Sequence, residues 1–166
     1  MIIRNEKSTD FETIFAITAA AFATEPHSQQ TEPFIINALR AAGALTISLV
    51  AEIGGKVVGH VAFSPVKISD GSEKWYTLGP ISVSPEFQNQ GVGTALVNEG
   101  LSALKSLGAK GCLLVGESAY YTRFNFRNDP DLGIEGVPPE NFLVLPFHGN
   151  SPKGVVTIHE GFFVTS

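Results

Sequence analysis

The sequence contains a single cysteine, Cys112, so no disulfide bond can form within the chain. Cys112 lies in an apolar run and is interpreted as a core residue, and a reducing compartment is the default expectation. The sequence also lacks any apolar stretch approaching the roughly 18 residues that a membrane-spanning helix needs. Its N-terminus lacks the basic segment followed by an apolar run that is typical of a signal peptide. A cytoplasmic protein without a membrane partner is therefore expected.

Basic residues are few: 11 Lys and Arg stand against 16 Asp and Glu, for a net charge of −5. A nucleic-acid-binding surface needs a dense basic stripe, so this class of partner is not expected. The four histidines, His27, His60, His148 and His159, are too scattered to predict a metal site. No serine lies in a Gly-x-Ser-x-Gly elbow, and Cys112 is expected to be buried, so no nucleophile for a covalent intermediate is predicted.

What the sequence does contain is an ordinary globular balance, with 43% hydrophobic and 16% charged residues over 166 positions. This length favours one domain, residues 1–166. The pattern predicts a short first strand, a helix that begins in a Thr9-x-x-Glu12 capping box, and a second helix near Pro33. From Thr46 the period changes to that of strands. Three antiparallel strands follow, at residues 47–53, 56–68 and 75–84.

A tight turn rich in glycine and amide side chains follows the third of these strands and opens a helix. That helix ends near Gly108, and residues 112–116 form an all-apolar strand, as expected where both faces are covered. A strand, a helix and a strand over this length imply a right-handed crossover and one parallel pair. A short helix, a loop and two last strands complete the chain. The fold class is thus α/β (α+β), with a mixed, mostly antiparallel sheet flanked by helices.

The turn has the pattern Gln88-x-x-Gly91-x-Gly93. A helix start leaves backbone N–H groups unpaired and carries partial positive charge, so such a turn can hold a phosphate. Two glycines are weak evidence by themselves, because a P-loop ending and a dinucleotide fingerprint are both absent. A tight turn without a ligand stays open as an alternative at this point.

Taken together, this order of elements and the Gln-x-x-Gly-x-Gly turn resemble the GCN5-related N-acetyltransferase (GNAT) superfamily. The segment from Tyr120 to Phe126 is similar to the family's Tyr-x-x-x-Gly-Phe signature, with Asn125 in place of the glycine. Asparagine tolerates a left-handed backbone, so the turn is expected to survive. Leu78-Gly79-Pro80 and the tyrosine pair further resemble the YhbS-like group of predicted acetyltransferases.

The resemblance implies that acetyl-CoA is the co-substrate, that no metal is needed, and that the coenzyme enters between two splayed parallel strands. By position, the backbone of Ile81, Ser82 and Val83 would hold the pantetheine arm and the acetyl carbonyl. The residues expected to hold the pyrophosphate are Gln88, Asn89, Gln90, Gly91, Val92, Gly93 and Thr94.

Because no nucleophile for a covalent intermediate is predicted, direct transfer of the acetyl group from the thioester to an amine is expected. Tyr121 aligns with the family tyrosine near the coenzyme sulfur and is the expected general acid, with a packing role as its alternative. Glu117 directly follows the strand that borders the site and is the candidate general base, with a solvated or capping glutamate as its alternative. His27 could border the acceptor pocket, although a surface histidine is the other interpretation.

Two functions from different classes stay open at this stage. One is an acetyl-CoA-dependent N-acetyltransferase that acts on a small-molecule or peptide amine. The other is a non-catalytic acyl-CoA-binding module with a regulatory or interaction role. A homodimer through the C-terminal strands is a further expectation.

Overall fold

The computed structural model describes all residues 1–166, which form four α-helices and nine strands. In chain order the elements are β1 (Ile2–Asn5), α1 (Phe11–Phe22), α2 (Glu32–Ala41), β2 (Ile47–Ile53), β3 (Lys56–Pro65), β4 (Lys67–Ile68), β5 (Trp75–Val83), α3 (Val92–Ser106), β6 (Gly111–Val115), α4 (Ser118–Tyr121), β7 (Leu132–Gly133), β8 (Phe142–Pro146) and β9 (Gly154–Thr157). None of the helices has both the length and the apolar character needed to cross a bilayer.

Six strands form the main sheet in the order β1-β2-β3-β5-β6-β8. Every neighbouring pair is antiparallel except β5 and β6, which are parallel and are joined by the α3 crossover. The prediction of a mostly antiparallel sheet with one parallel pair is therefore confirmed.

Helix α3 packs against one face of this sheet through the apolar stripe of Leu96, Val97, Leu101 and Leu104. Gly100 lies on the same stripe, and a Cβ built there would fall 2.1 Å from the ring of Phe63. Glycine at this position therefore lets the helix approach the sheet closely. The opposite face is covered by α1 and α2, whose Ile14 and Ile36 pack on Val50 of β2.

A second, smaller sheet was not anticipated from the sequence. The predicted strand over residues 56–68 divides after Pro65, and β4 pairs with β9 instead of continuing in the main sheet. β7 adds to the other side of β9, in parallel. This small sheet contributes Ile68, Leu132 and Val156 to a core cluster that also contains Trp75 of β5.

The start of α1 differs from the predicted capping box. A short 3₁₀ turn precedes the helix, and the carboxylate of Asp10 accepts the Lys7 backbone N–H at 2.7 Å. Arg4 donates to the same carboxylate at 2.7 and 3.0 Å. The Thr9 side chain does not cap the helix, because Asp10 and not Thr9 is the residue that directly precedes the first turn of α1.

A partly buried polar cluster links Glu6, which directly follows β1, to α2, β2 and β3. The Ser48 hydroxyl lies 2.6 Å from the Glu6 carboxylate, to which it donates, and 2.7 Å from Nε2 of His60. Arg40 holds Glu6 with two hydrogen bonds of 2.9 and 2.8 Å. His60 is fully buried, and its Nδ1 has no partner. Burial lowers the pKa of His60 to about 4, with Glu6 opposing the shift and Arg40 adding to it.

We expect the free energy of unfolding to fall by up to about 3 kcal/mol as the pH drops from about 6.5 to about 4 because of His60. Over this range the unfolded chain binds a proton that the buried imidazole does not, so acid favours the unfolded state. Denaturant unfolding at several pH values measures the slope, and His60→Gln should flatten it. An unchanged slope in His60→Gln would contradict this origin.

Candidate active site

The site begins where β5 separates from β6. The two strands pair only over Trp75–Thr77 and Gly111–Leu113, and β6 then stays with β8 up to Val115. Between the pairs Phe63–Leu78 and Val61–Ile81, β5 contains one residue more than β3. Such a bulge bends its strand, so β5 turns away from β6 and a V-shaped gap opens between them.

Gly79 and Pro80 form this bulge, which was not predicted from the sequence. A signal was available, because a proline inside a central strand indicates an edge or a bulge. Gly79 has a φ of 136°, which side chains rarely adopt.

The register of β5 decides which backbone groups face the gap. Ser84 donates its N–H to the carbonyl of Val58 on β3, and hydrogen-bonded pairs alternate along an antiparallel ladder. The backbone of Ser82 is therefore directed towards its partner His60, whereas the peptide groups of Ile81 and Val83 face away from β3. Of the three residues predicted to present their backbone here, two do so.

The side chain of Ser82 points to the α1 face of the sheet. It is buried, and its hydroxyl lies 3.2 Å from that of Thr18 on α1. The Thr18 hydroxyl in turn donates to the carbonyl of Ile14 at 2.7 Å. Ser82 thus ties β5 to α1, a structural contact that the strand pattern did not reveal.

The predicted phosphate turn follows β5. Asn89 and Gly91 both have left-handed backbones, with φ values of 61° and 86°. The first hydrogen bond of α3 runs from the Ala95 N–H to the Gly91 carbonyl, at 3.1 Å. The N–H groups of residues 92–94 therefore have no partner within the helix, and no side chain caps it. This bare helix start is suited to binding an anion.

The two glutamines of the turn brace it. Gln88 donates its side-chain amide to the carbonyl of Val83 at 3.0 Å, and Gln90 does the same to Glu86 at 3.1 Å. Both side-chain amides donate to backbone carbonyls next to the turn, so they stabilise its conformation. The anion-binding groups that remain are the backbone N–H groups.

Gly93 lies under the hydroxyl of Tyr120. A Cβ built at Gly93 would fall 3.0 Å from that oxygen, so the absence of a side chain lets Tyr120 of α4 reach the first turn of α3. Gly91, in contrast, has open space around it and needs glycine for its φ. Glycine is therefore required at the two positions for different reasons, the backbone angle at Gly91 and the space for Tyr120 at Gly93.

Tyr121 lies on the other side of the tyrosine pair, against the end of β6. Its ring packs edge-on to Tyr120 with centroids 4.9 Å apart, and it covers Gly116, where a Cβ would fall 2.7 Å from the ring. Burial raises the pKa of Tyr121 to about 12, with smaller contributions from Tyr120 and Cys112. The hydroxyl has no hydrogen-bond partner in the protein and is not sealed from solvent.

The remaining predicted residues lie in different settings. The Glu117 side chain is exposed, while its backbone carbonyl accepts the N–H groups of Tyr120 and Tyr121. His27 is exposed in the loop between α1 and α2. Asn125 has a φ of 73°, which confirms that this position needs a left-handed backbone.

Cys112 is fully buried, and burial raises the pKa of its thiol, so it is a core residue as predicted. No group of three or more His, Cys, Asp or Glu side chains is placed to hold a metal ion. The arrangement is a gap beside the outward backbone groups of β5, with the bare start of α3 after this strand and the ring of Tyr121 packed at the end of β6.

Comparisons with known proteins agree with this geometry. The model of the acetyltransferase (GNAT) family matches residues 11–126. The uncharacterized N-acetyltransferase YhbS of Escherichia coli K12 is 34% identical over 169 aligned positions, which cover 98% of each chain. A GNAT family acetyltransferase from Brucella melitensis, solved in complex with acetyl-CoA, is 44% identical over 97% of both chains, with a TM-score of 0.87. Escherichia coli YhbS, solved in complex with CoA, is 32% identical over 99% of this chain and 93% of that one, with a TM-score of 0.89.

Proposed function

This chain belongs to the acetyltransferase (GNAT) family, and from that premise we propose that it transfers an acetyl group directly from acetyl-CoA to a primary amine. The observation that supports the proposal most is the V-shaped gap between β5 and β6, which leads into the bare helix start at residues 92–94. An extended ligand with phosphates at one end and a thioester at the other fits this layout. The similar Brucella melitensis protein binds such a ligand.

The donor would lie along β5. The outward N–H and carbonyl of Ile81 and the outward N–H of Val83 would pair with the amides of the pantetheine arm, as an added strand does at a free sheet edge, while the Val83 carbonyl already accepts Gln88. The N–H groups of the turn over residues 89–94 would hold the pyrophosphate. Ser82 would act indirectly, since its backbone pairs with β3 and its hydroxyl contacts α1.

The chemical step would join the amine to the acetyl carbon. The nitrogen lone pair attacks the thioester carbonyl, a C–N bond forms, and backbone N–H groups near Val83 stabilise the oxyanion. The C–S bond then breaks with its electron pair on sulfur, and Tyr121 donates a proton to the thiolate. The ammonium loses its proton through water, and Tyr121 recovers one from solvent. The buried Cys112 offers no nucleophile for a covalent alternative.

Glu117 is the carboxylate proposed to receive the amine proton. Its exposed side chain has no hydrogen-bond partner, and its main chain starts α4 directly below Tyr121. We expect Glu117→Gln to lower kcat/KM about tenfold near neutral pH, with a smaller loss at high pH where the amine is already deprotonated. A pH–rate profile of both proteins measures this. Superimposable profiles would remove Glu117 from the mechanism and leave proton loss to solvent.

Thermal shift and thiol release together test the proposed function. Acetyl-CoA should raise the melting temperature, because a ligand that binds only the native state stabilises it. Thiol release is then followed over a panel of small amines, amino acids and peptide N-termini. Stabilisation without turnover on any amine would favour the non-catalytic acyl-CoA-binding module, and absence of stabilisation would contradict both functions.

A further inference from the structure

The phosphate turn contains no cation of its own. Between Ser84 and Thr94 the only charged residue is Glu86, and the nearest basic residue on α3 is Lys105, in its last turn. If acetyl-CoA binds here as proposed, a ligand with several phosphate charges would meet no positively charged side chain of the turn. Phosphate sites in proteins usually add an Arg or Lys to such groups.

The tertiary structure brings one arginine to this place. Tyr120 reaches across from α4 and puts its hydroxyl at Gly93, in the first turn of α3. Arg123 stacks on the same tyrosine, with its Cζ 4.4 Å from the ring centroid. The guanidinium and the bare helix start therefore contact the same side chain, the first through the ring of Tyr120 and the second through its hydroxyl.

Arg123 is held in position and still has free donors. Its Nε donates to the carbonyl of Tyr120 at 2.8 Å, which fixes the plane of the guanidinium. The two terminal nitrogens make no hydrogen bond in the protein, and no carboxylate lies within 4 Å. Arg4 and Arg40, in contrast, are both engaged in salt bridges. A preorganised guanidinium without an acidic partner is a strong phosphate donor.

We propose that Arg123, seated on the ring of Tyr120, binds a phosphate of the coenzyme. This inference rests on the proposed function, and it adds a cation that comes from the segment after α4 and not from the glycine turn. The phosphate contacted is either in the pyrophosphate or at the 3′ position of the ribose. These two sources share one chemistry and are separated by choice of ligand.

The test is a set of dissociation constants for CoA, dephospho-CoA and pantetheine. Arg123→Gln is expected to weaken CoA binding about tenfold and to reduce the salt dependence of the affinity, while pantetheine is unaffected. If the 3′-phosphate is the partner, dephospho-CoA will bind the original protein and Arg123→Gln with the same, reduced affinity. If the pyrophosphate is the partner, dephospho-CoA will show the tenfold difference.

Arg127→Gln is the matched control. Arg127 is also exposed and outside any salt bridge, but its Nη1 contacts the carbonyls of Thr122 and Phe126, away from Tyr120. The Arg127→Gln variant should bind CoA with an affinity within about twofold of that of the original protein. Arg123→Lys, which keeps the charge and loses the planar stack, should recover only part of the affinity.

Equal CoA affinity in Arg123→Gln and the original protein would overturn the inference while leaving the proposed function intact. A loss that is the same for pantetheine would overturn it too, because pantetheine has no phosphate. Failure of the original protein to bind CoA at all would instead contradict the proposed function. A denaturant unfolding curve of each variant without ligand shows whether its fold is retained.

Discussion

Replacing Tyr121 by phenylalanine is expected to lower the kcat of acetyl transfer about a hundredfold and to leave the affinity for acetyl-CoA within about twofold. The Tyr121 hydroxyl makes no hydrogen bond within the protein, so its removal should not disturb the folded chain. The ring that packs on Tyr120 and Gly116 stays in place. The loss is therefore confined to the proton that the departing thiolate needs.

The pH dependence of the original enzyme gives a second readout. Because burial raises the pKa of Tyr121 to about 12, its hydroxyl stays protonated at pH values where an ordinary tyrosine begins to ionise. We expect no loss of turnover from this group up to about pH 10. Steady-state kinetics from pH 6 to pH 10 with a good acceptor amine measures both proteins.

Tyr120→Phe is the matched control, since Tyr120 is adjacent and packs in the same aromatic cluster. Its hydroxyl lies at Gly93 and away from the end of β6 where Tyr121 packs. Its kcat should change by only a few-fold. If Tyr120→Phe loses the turnover and Tyr121→Phe keeps it, the assignment of the general acid is reversed.

The second large effect concerns the backbone of the phosphate turn. Gly91→Val is expected to weaken acetyl-CoA binding about 10- to 30-fold, because a residue with a Cβ costs about 1–2 kcal/mol in the left-handed region and a β-branched one costs most. A Cβ at Gly91 would meet no atom within 4 Å, so the penalty comes from φ alone. Without a ligand, the turn of the variant can relax to a less strained conformation. Ligand binding must then restore the left-handed backbone, and this costs affinity.

Gly91→Asn separates conformation from bulk. Asparagine is similar in size to valine but tolerates the left-handed region, as Asn89 and Asn125 already do in this chain. Its affinity for acetyl-CoA should stay within a few-fold of the original. Calorimetric titration of the three proteins measures the difference, with pantetheine as the ligand that lacks the pyrophosphate. Equal weakening by Asn and Val would point to bulk and contradict the conformational explanation.

Local patterns in the sequence predicted much of the fold. The apolar stripe of α3 follows the helical period, and the run at Cys112 follows the pattern of a strand covered on both faces. The left-handed turn at Asn125 depends on backbone preferences within a few residues. Such features are encoded next to where they act, and therefore a sequence reader can identify them.

The site itself depends on pairings between distant residues. A single extra residue at Gly79–Pro80 shifts the β5 register, opens the gap and decides that Val83 faces it while Ser82 faces β3. Because the backbone direction alternates at every residue, a shift of one position reverses this assignment. The local pattern therefore predicts the three residues 81–83 at this place but not which of their backbone groups point outward.

The glycine turn combines locally encoded features with features that depend on distant residues. By itself, the sequence determined that a helix starts after Gly91 with unpaired N–H groups, because the left-handed turn and the helix period are local properties. Only the tertiary structure decided that Gly93 makes room for Tyr120, and that this tyrosine, with Arg123 stacked on its ring, lies beside the turn. Gly93 and Tyr120 are about thirty positions apart, and their contact depends on how the segment after β6 meets the start of α3, which no local pattern encodes.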